Sequence, residues 1–377
     1  MRKKSISLML IFATIILFPV SANAVSDNEL RFKNGKFTVM QISDMQDLFL
    51  PAKALNQTVE AAIEKVKPDL IVLTGDNIIG YTGGITKYGK YFFAKKAITA
   101  ATKPIVKSGI PFAVVFGNHD CQCGVSKEEQ MKIYQSFDNC VAVDEGDMLP
   151  GCGTYNLPIK ASNSDEIIFN IWLADSRDET EVESGYGYVS SEQIEWYKNK
   201  SDEINVNSIW FQHVPVPEVM SFVKIVDKGT EGAVEKGDKY YILDSEKATG
   251  ILGERPCPAK INEGLFDAWV EKGNVIAAFF GHDHSNNYIG NIKGIDLVAT
   301  PGCAYNHWGD KSRGVRVIQI NENNTSTYST YTLDYFDLFG RTSKTYMDYA
   351  MSAMELIPLR IIIYPLIVIY NLLGGLL

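Results

Sequence analysis

In this chain, one apolar, β-type run after another stops abruptly at a short cluster of acids, amides and histidines. Phe37 to Ser43 runs into Asp44, Met45 and Gln46, and Leu70 to Thr74 into Gly75, Asp76 and Asn77. Pro111 to Phe116 ends at Gly117-Asn118-His119-Asp120, Asn207 to Phe211 at Gln212-His213, and Val275 to Phe280 at Gly281-His282-Asp283-His284. Four of the five histidines fall in these clusters. In an α/β sandwich, side chains at strand carboxyl ends converge on one rim, which is where such folds place their chemistry. Carboxylates, amides and imidazoles gathered there point to a metal centre.

Strand and helix patterns alternate through most of the length. Ala54, Val59, Ala62, Ile63 and Val66 share one face of a helix predicted over Pro51 to Val66. Tyr88 to Val106 reads as a second helix after the glycine-rich turn Gly80 to Gly84, and Ser190 to Lys198 as a capped one. Ile167 to Leu173 reads as a buried strand ending at Asp175, and Arg313 to Ile320 with Thr325 to Thr332 as a closing antiparallel pair. Phe222 to Gly253, charged and glycine-containing, reads as a mobile insertion.

Apolar content is high enough for a full core, and the net charge is −9. A protein that neutralises phosphates over a broad face needs clustered Lys and Arg, so nucleic-acid binding is not expected. Residues 1–24 open with Arg2, Lys3 and Lys4, continue through the apolar stretch Leu8 to Val20 and end in Ala22-Asn23-Ala24. That is the pattern of a secretory signal, giving a mature chain from about Val25 and a secreted or extracytoplasmic location. Export permits disulfides, so Cys121, Cys123, Cys140, Cys152, Cys257 and Cys303 are expected as disulfides or buried thiols, not as zinc ligands. The domain is expected over 25–335, followed by a helical, apolar tail at 336–377. In that tail, Leu356 to Leu377 contains one charge, Arg360, and either contacts a membrane or packs as a docked helix.

Each polar cluster alone is ordinary turn punctuation, and their joint order is what is specific. The ordered blocks Asp44-Met45-Gln46, Thr74-Gly75-Asp76-Asn77, Gly117-Asn118-His119-Asp120, Gln212-His213-Val214-Pro215 and Gly281-His282-Asp283-His284 resemble the calcineurin-like metallophosphoesterase superfamily. Within it they are similar to its purple-acid-phosphatase-like branch, as are Leu173-Ala174-Asp175-Ser176, Gly185-Tyr186-Gly187-Tyr188 and Pro256-Cys257-Pro258.

The resemblance implies a four-layer α/β/β/α sandwich that hydrolyses phosphate esters with a metal-bridging hydroxide. Two divalent ions, Mn, Fe or Zn, would lie about 3.5 Å apart. By resemblance Asp76 bridges, Asp44, Gln46 and His284 complete the first site, and Asn118, His213 and His282 complete the second. His119 then faces the leaving oxygen as proton donor, with Asp120 orienting its imidazole. His307, in Tyr305-Asn306-His307-Trp308, is a candidate contact for substrate phosphate.

Two positions depart from the superfamily's pattern. Gln46 stands where the first block usually ends in histidine, and its amide oxygen is a harder, weaker donor that favours ions such as Mn²⁺. Ile79 stands where true purple acid phosphatases have the iron-binding tyrosine, so no phenolate-to-iron colour is expected. The alternatives are a phosphodiesterase or nucleotidase of the same fold, or a non-catalytic metal-binding surface protein.

Overall fold

The computed structural model describes residues 29–47, 52–80, 87–145, 149–180 and 185–353. The signal at 1–24, the glycine-rich turn beyond Gly80 and the apolar run from 356 lie outside the described residues. Along the chain, β1 (Lys36–Ile42), α1 (Lys53–Val66), β2 (Leu70–Thr74), α2 (Lys87–Ala101), α3 (Lys103–Ser108), β3 (Phe112–Val115) and α4 (Lys127–Tyr134) come first. Next are β4 (Tyr155–Lys160), β5 (Ile167–Leu173), the short pair β6 (Glu179–Thr180) and β7 (Gly185–Tyr186), α5 (Ser191–Ile204) and β8 (Ser208–Gln212). Then follow β9 (Val223–Val226), β10 (Val234–Lys236), β11 (Lys239–Leu243), β12 (Ala248–Ile251), α6 (Leu265–Lys272) and β13 (Val275–Phe280). β14 (Asn287–Ile292), β15 (Ile295–Ala299), β16 (Gly314–Asn321), β17 (Asn324–Asp334), α7 (Tyr335–Phe339) and α8 (Ser343–Ala350) close the described chain.

Two large sheets result, ordered β17-β16-β1-β2-β3 and β12-β14-β15-β13-β8-β5-β4. Successive strand residues point to opposite faces, and here the alternation assigns each to a layer. Ile209 and Phe211 of β8, with Ala277 and Phe279 of β13, belong to the core shared with Val39, Leu73 and Val317 of the first sheet. Trp210, Ala278 and Phe280 instead join Tyr197 of α5 and Trp269 of α6 on the far face. Leu55, Val59 and Ala62 of α1 are buried, and α1 packs against β16 of the first sheet. The layer order is therefore α/β/β/α, as expected.

The predicted helix over Tyr88 to Val106 is two helices, because Pro104 has no N–H to continue the ladder past Thr102. α5 begins as predicted, with Ser190 and Gln193 in a reciprocal capping box, and runs on to Ile204, where Asn205 turns left-handed (φ 42°). The segment Phe222 to Gly253 is a correction. β9, β10 and β11 form an antiparallel sheet, and β12 extends the second large sheet at its β14 edge.

All six cysteines are free thiols, so the disulfide alternative falls away. Phe336, Tyr349 and Ala353, which follow residue 335, are packed in the main core. Among the described residues, no helix is long and apolar enough to cross a membrane.

Candidate metal centre

The parallel strands β1, β2 and β3 of one sheet and β8 and β13 of the other each deliver polar side chains just past their carboxyl ends. Turning a chain sharply at a strand end demands unusual backbone, and it is concentrated here. Asp44 (φ 51°), Gln46 (φ 36°), Asp76 (φ 49°) and His282 (φ 72°) all sit in the left-handed region that non-glycine residues avoid. Gly75 (φ 86°) is required as well, since a Cβ there would lie 2.5 Å from Nδ1 of His213.

Hydrogen bonds fix which atoms remain available. A carbonyl oxygen only accepts, so Nδ1 of His213 donates to Thr74 O (2.9 Å) and Nδ1 of His284 to Trp308 O (2.8 Å). In each neutral ring that leaves the Nε2 lone pair free, the arrangement metal-ligating histidines adopt. His213 Nε2 lies 3.3 Å from Asp76 Oδ2 and 3.9 Å from Asp44 Oδ1, and His284 Nε2 lies 3.4 Å from Asp44 Oδ1. The other oxygen of Asp44 accepts from Ser43 Oγ (2.5 Å) and from the His282 backbone N–H (3.0 Å). Asp76 accepts from the His119 N–H (2.8 Å) and from Gln46 Nε2 (3.0 Å), one donor on each oxygen, so each keeps a lone pair.

After that accounting, Asp44 Oδ1, Gln46 Oε1, Asn118 Oδ1 and His213 Nε2 are buried with no hydrogen-bond partner. Orphaned buried acceptors each cost free energy, and four around one carboxylate need a shared cation. The ligand atoms of Asp44, Asp76 and His213 all lie within 4.8 Å of one another. His282 adds its ring 5.2 Å from that of His213. The residues present therefore fit divalent metal.

Electrostatics agree with that fit. Burial opposes charge on His213, yet Asp76 and Asp44 outweigh it and raise the imidazole to about 10. The two carboxylates thus demand positive charge at His213 Nε2, which a divalent ion on that lone pair would supply in place of a proton. His282 is pushed down to about 3 by burial and then by the charge of His213, which keeps it a neutral donor. These groups open onto a cavity of about 330 Å³ lined by Asp76, Asn118, His119, His282, His284 and Trp308, with Lys236, Glu254 and Arg255 at its wall.

Residues 37–286 match the model of the calcineurin-like phosphoesterase family. The chain belongs to that family. Two relatives from Arabidopsis thaliana bear the names probable inactive purple acid phosphatase 14 and 29. They are 29% and 28% identical, covering 83% and 84% of this chain and 82% and 85% of their own. Phosphatase DCR2 of Saccharomyces cerevisiae is 24% identical, over 67% of this chain and 45% of its own. A solved dimetal phosphatase from Danio rerio aligns with 79% of this chain and 99% of its own at 15% identity and a TM-score of 0.47.

In this member of the family, every residue expected as a ligand comes to the one rim. Asp120 is the correction. Its Oδ1 accepts from the N–H groups of Asn77 (2.9 Å) and Ile78 (3.3 Å), and its Oδ2 from that of Gly117 (2.7 Å). It staples two ligand-bearing loops together and does not orient His119. Burial and then the nearby Asp76 push its carboxyl up to about 7.

The partner of His119 Nδ1 is Gln122 Oε1, at 2.7 Å. The signal for it was the three-residue spacing across the 3-10 turn Asp120–Cys123, which brings i and i+3 together. His307 stands 6.5 Å from His119 and 5.3 Å from His284 between ring centroids, with Nδ1 buried and unpartnered. Burial, then His284 and His119, lower it to about 4. The neighbouring Trp308, not singled out by its sequence, lines the cavity and stacks on His284 at 4.2 Å.

Proposed function

We propose that this protein is a metal-dependent phosphoric ester hydrolase, active outside the cytoplasm. The observation that supports it is the set of buried, unpartnered donor atoms on Asp44, Gln46, Asn118 and His213 around Asp76. Two divalent cations held there would supply a water-derived nucleophile at neutral pH and neutralise phosphoryl oxygens. Asp76, with a lone pair left on each oxygen, would be the shared ligand in this reading. Asp44, Gln46 and His284 would hold one cation, and Asn118, His213 and His282 the other.

His119 lines the cavity, and its Nδ1 is held as donor to Gln122, so Nε2 is the atom left to face the leaving oxygen, and it delivers a proton there from the imidazolium form, which carries N–H on both nitrogens and returns to the neutral ring. His307, neutral at physiological pH by its surroundings, donates a hydrogen bond to substrate phosphate.

With added Mn²⁺, the purified protein should hydrolyse a generic aryl phosphate faster than the corresponding bis-aryl diester. A preference for the diester would move it to the phosphodiesterase reading. No turnover of either ester, with metal bound, would favour the non-catalytic metal-binding protein that the plant relatives' names bring to mind. Against that last reading stand intact Asp76, Asn118, His119, His213, His282 and His284. Export is tested on the same material, since the mature chain should begin near Val25. The tail from 356 is proposed as a membrane contact, and truncation before Leu356 should release the protein from membranes.

Gln46 separates a tuned site from a decaying one. Its Nε2 donates to Asp76 and its Oε1 is buried without a partner, the geometry of an amide offering oxygen to a cation. Gln46→Ala should raise the Mn²⁺ concentration needed for half-maximal activity, recoverable with excess Mn²⁺. Gln46→His should keep the site filled and shift preference toward Zn²⁺. Unchanged metal dependence in the alanine variant would remove Gln46 from the ligand set.

A further inference from the structure

Arg313 is one of the largest fully buried side chains, and its guanidinium is directed at a single loop. Nε donates to Ala304 O, Nη2 to His307 O (3.0 Å) and Nη1 to Asp310 O (2.7 Å). Three carbonyl groups spread over seven residues are thus gathered onto one planar fork, a geometry available to arginine and not to lysine. Gly309 (φ 152°) lets the loop pass, since a Cβ there would lie 3.0 Å from Nη2.

The same Nη1 also donates to the hydroxyl of Tyr349 in α8 (2.9 Å), and that hydroxyl donates to Asp310 O (2.8 Å). The Tyr349 ring is seated in the core against Tyr305, Tyr335 and Phe336. One side of the loop is therefore tied to the last described helix.

The other side of the loop reaches the metal centre. Trp308 O is the acceptor that fixes the tautomer of His284, and the Trp308 ring lies parallel to that imidazole at 3°. Asn306 donates to Asp47 (2.6 Å), just past Gln46. A shift of residues 304–310 would rotate the His284 ring or remove its Nδ1 partner, and either change moves Nε2 relative to Asp44. Partners of metal-bound histidines are worth roughly 10–100-fold in metal affinity.

We propose that Arg313 and Tyr349 are positioning residues, a clamp through which the docking of α8 sets the 304–310 loop and thereby the orientation of His284. The final link rests on the metal-centre reading above, and the first link does not.

Tyr349→Phe in the full chain removes one hydroxyl and keeps the packed ring. Two readouts follow, acrylamide quenching of Trp308 in metal-free protein (difference against Trp308→Phe) and Mn²⁺ affinity by calorimetry. Expected are greater quenching and roughly 10-fold weaker Mn²⁺ binding, with an unchanged circular dichroism spectrum. Arg313→Lys should reproduce both effects and not rescue them. Unchanged quenching and affinity in folded Tyr349→Phe would overturn the clamp, as would a loss of thermal stability alone. If the wild type takes up no Mn²⁺, the metal reading fails, while the quenching comparison still decides whether the clamp holds the loop.

Discussion

Asp76→Asn should abolish hydrolysis of an aryl phosphate and strip metal from the protein, with the fold retained. The carboxylate sits among His213 Nε2 at 3.3 Å, Gln46 Nε2 at 3.0 Å and the His119 N–H at 2.8 Å. An asparagine is the same size but has one oxygen and no charge. It cannot bridge two cations, and its amide nitrogen would face a donor whichever way it turned. Loss of several kcal/mol of charge stabilisation corresponds to a fall of about 10³-fold or more. Elemental analysis of the purified variant should find less metal than in the wild type. Near-normal turnover with full metal content would sink the dinuclear reading.

How much of this could be read from the sequence depends on which physical signal each element leaves. β2, β5 and β13 were legible to the residue, because a strand buried on both faces is a continuous apolar run and its polar end is abrupt. The polar residues that gather at the rim were legible for the same reason, as each stands within a few residues of such an end.

The segment from Phe222 to Gly253 was misread because its strands lie at the surface. Ile225 and Ile251 are exposed while Phe222, Tyr241 and Ala248 are buried, so apolar residues do not mark one face of its strands. Asp120 was misassigned because adjacency in sequence suggested a His–Asp pair, whereas neighbouring residues in a helical turn point in different directions. The acceptors for His213 and His284 are the backbone carbonyls of Thr74 and Trp308, which any residue type could supply. No motif could reveal them.

The corrected partner of His119 gives the sharpest test of its role. His119→Ala should lower turnover by about 10²- to 10⁴-fold while leaving bound metal unchanged, as expected of a proton donor. Asn118→Ala should instead weaken metal binding. Gln122→Ala frees the imidazole at Nδ1, so turnover should fall roughly 10-fold with no change in melting temperature.

Asp120→Asn should behave in the opposite way. That carboxylate accepts from three backbone N–H groups in a fully buried position, and replacing one oxygen by a donor leaves at least one of them opposed. A cost of about 1–3 kcal/mol should appear as a lower melting temperature. Any loss of rate should then follow from loosening the Asp76 and Asn118 loops together, with metal content falling alongside it. Should Asp120→Asn lower turnover at full stability and full metal content while Gln122→Ala leaves the rate intact, the imidazole is governed by the aspartate after all, and the hydrogen bond to Gln122 has no part in catalysis.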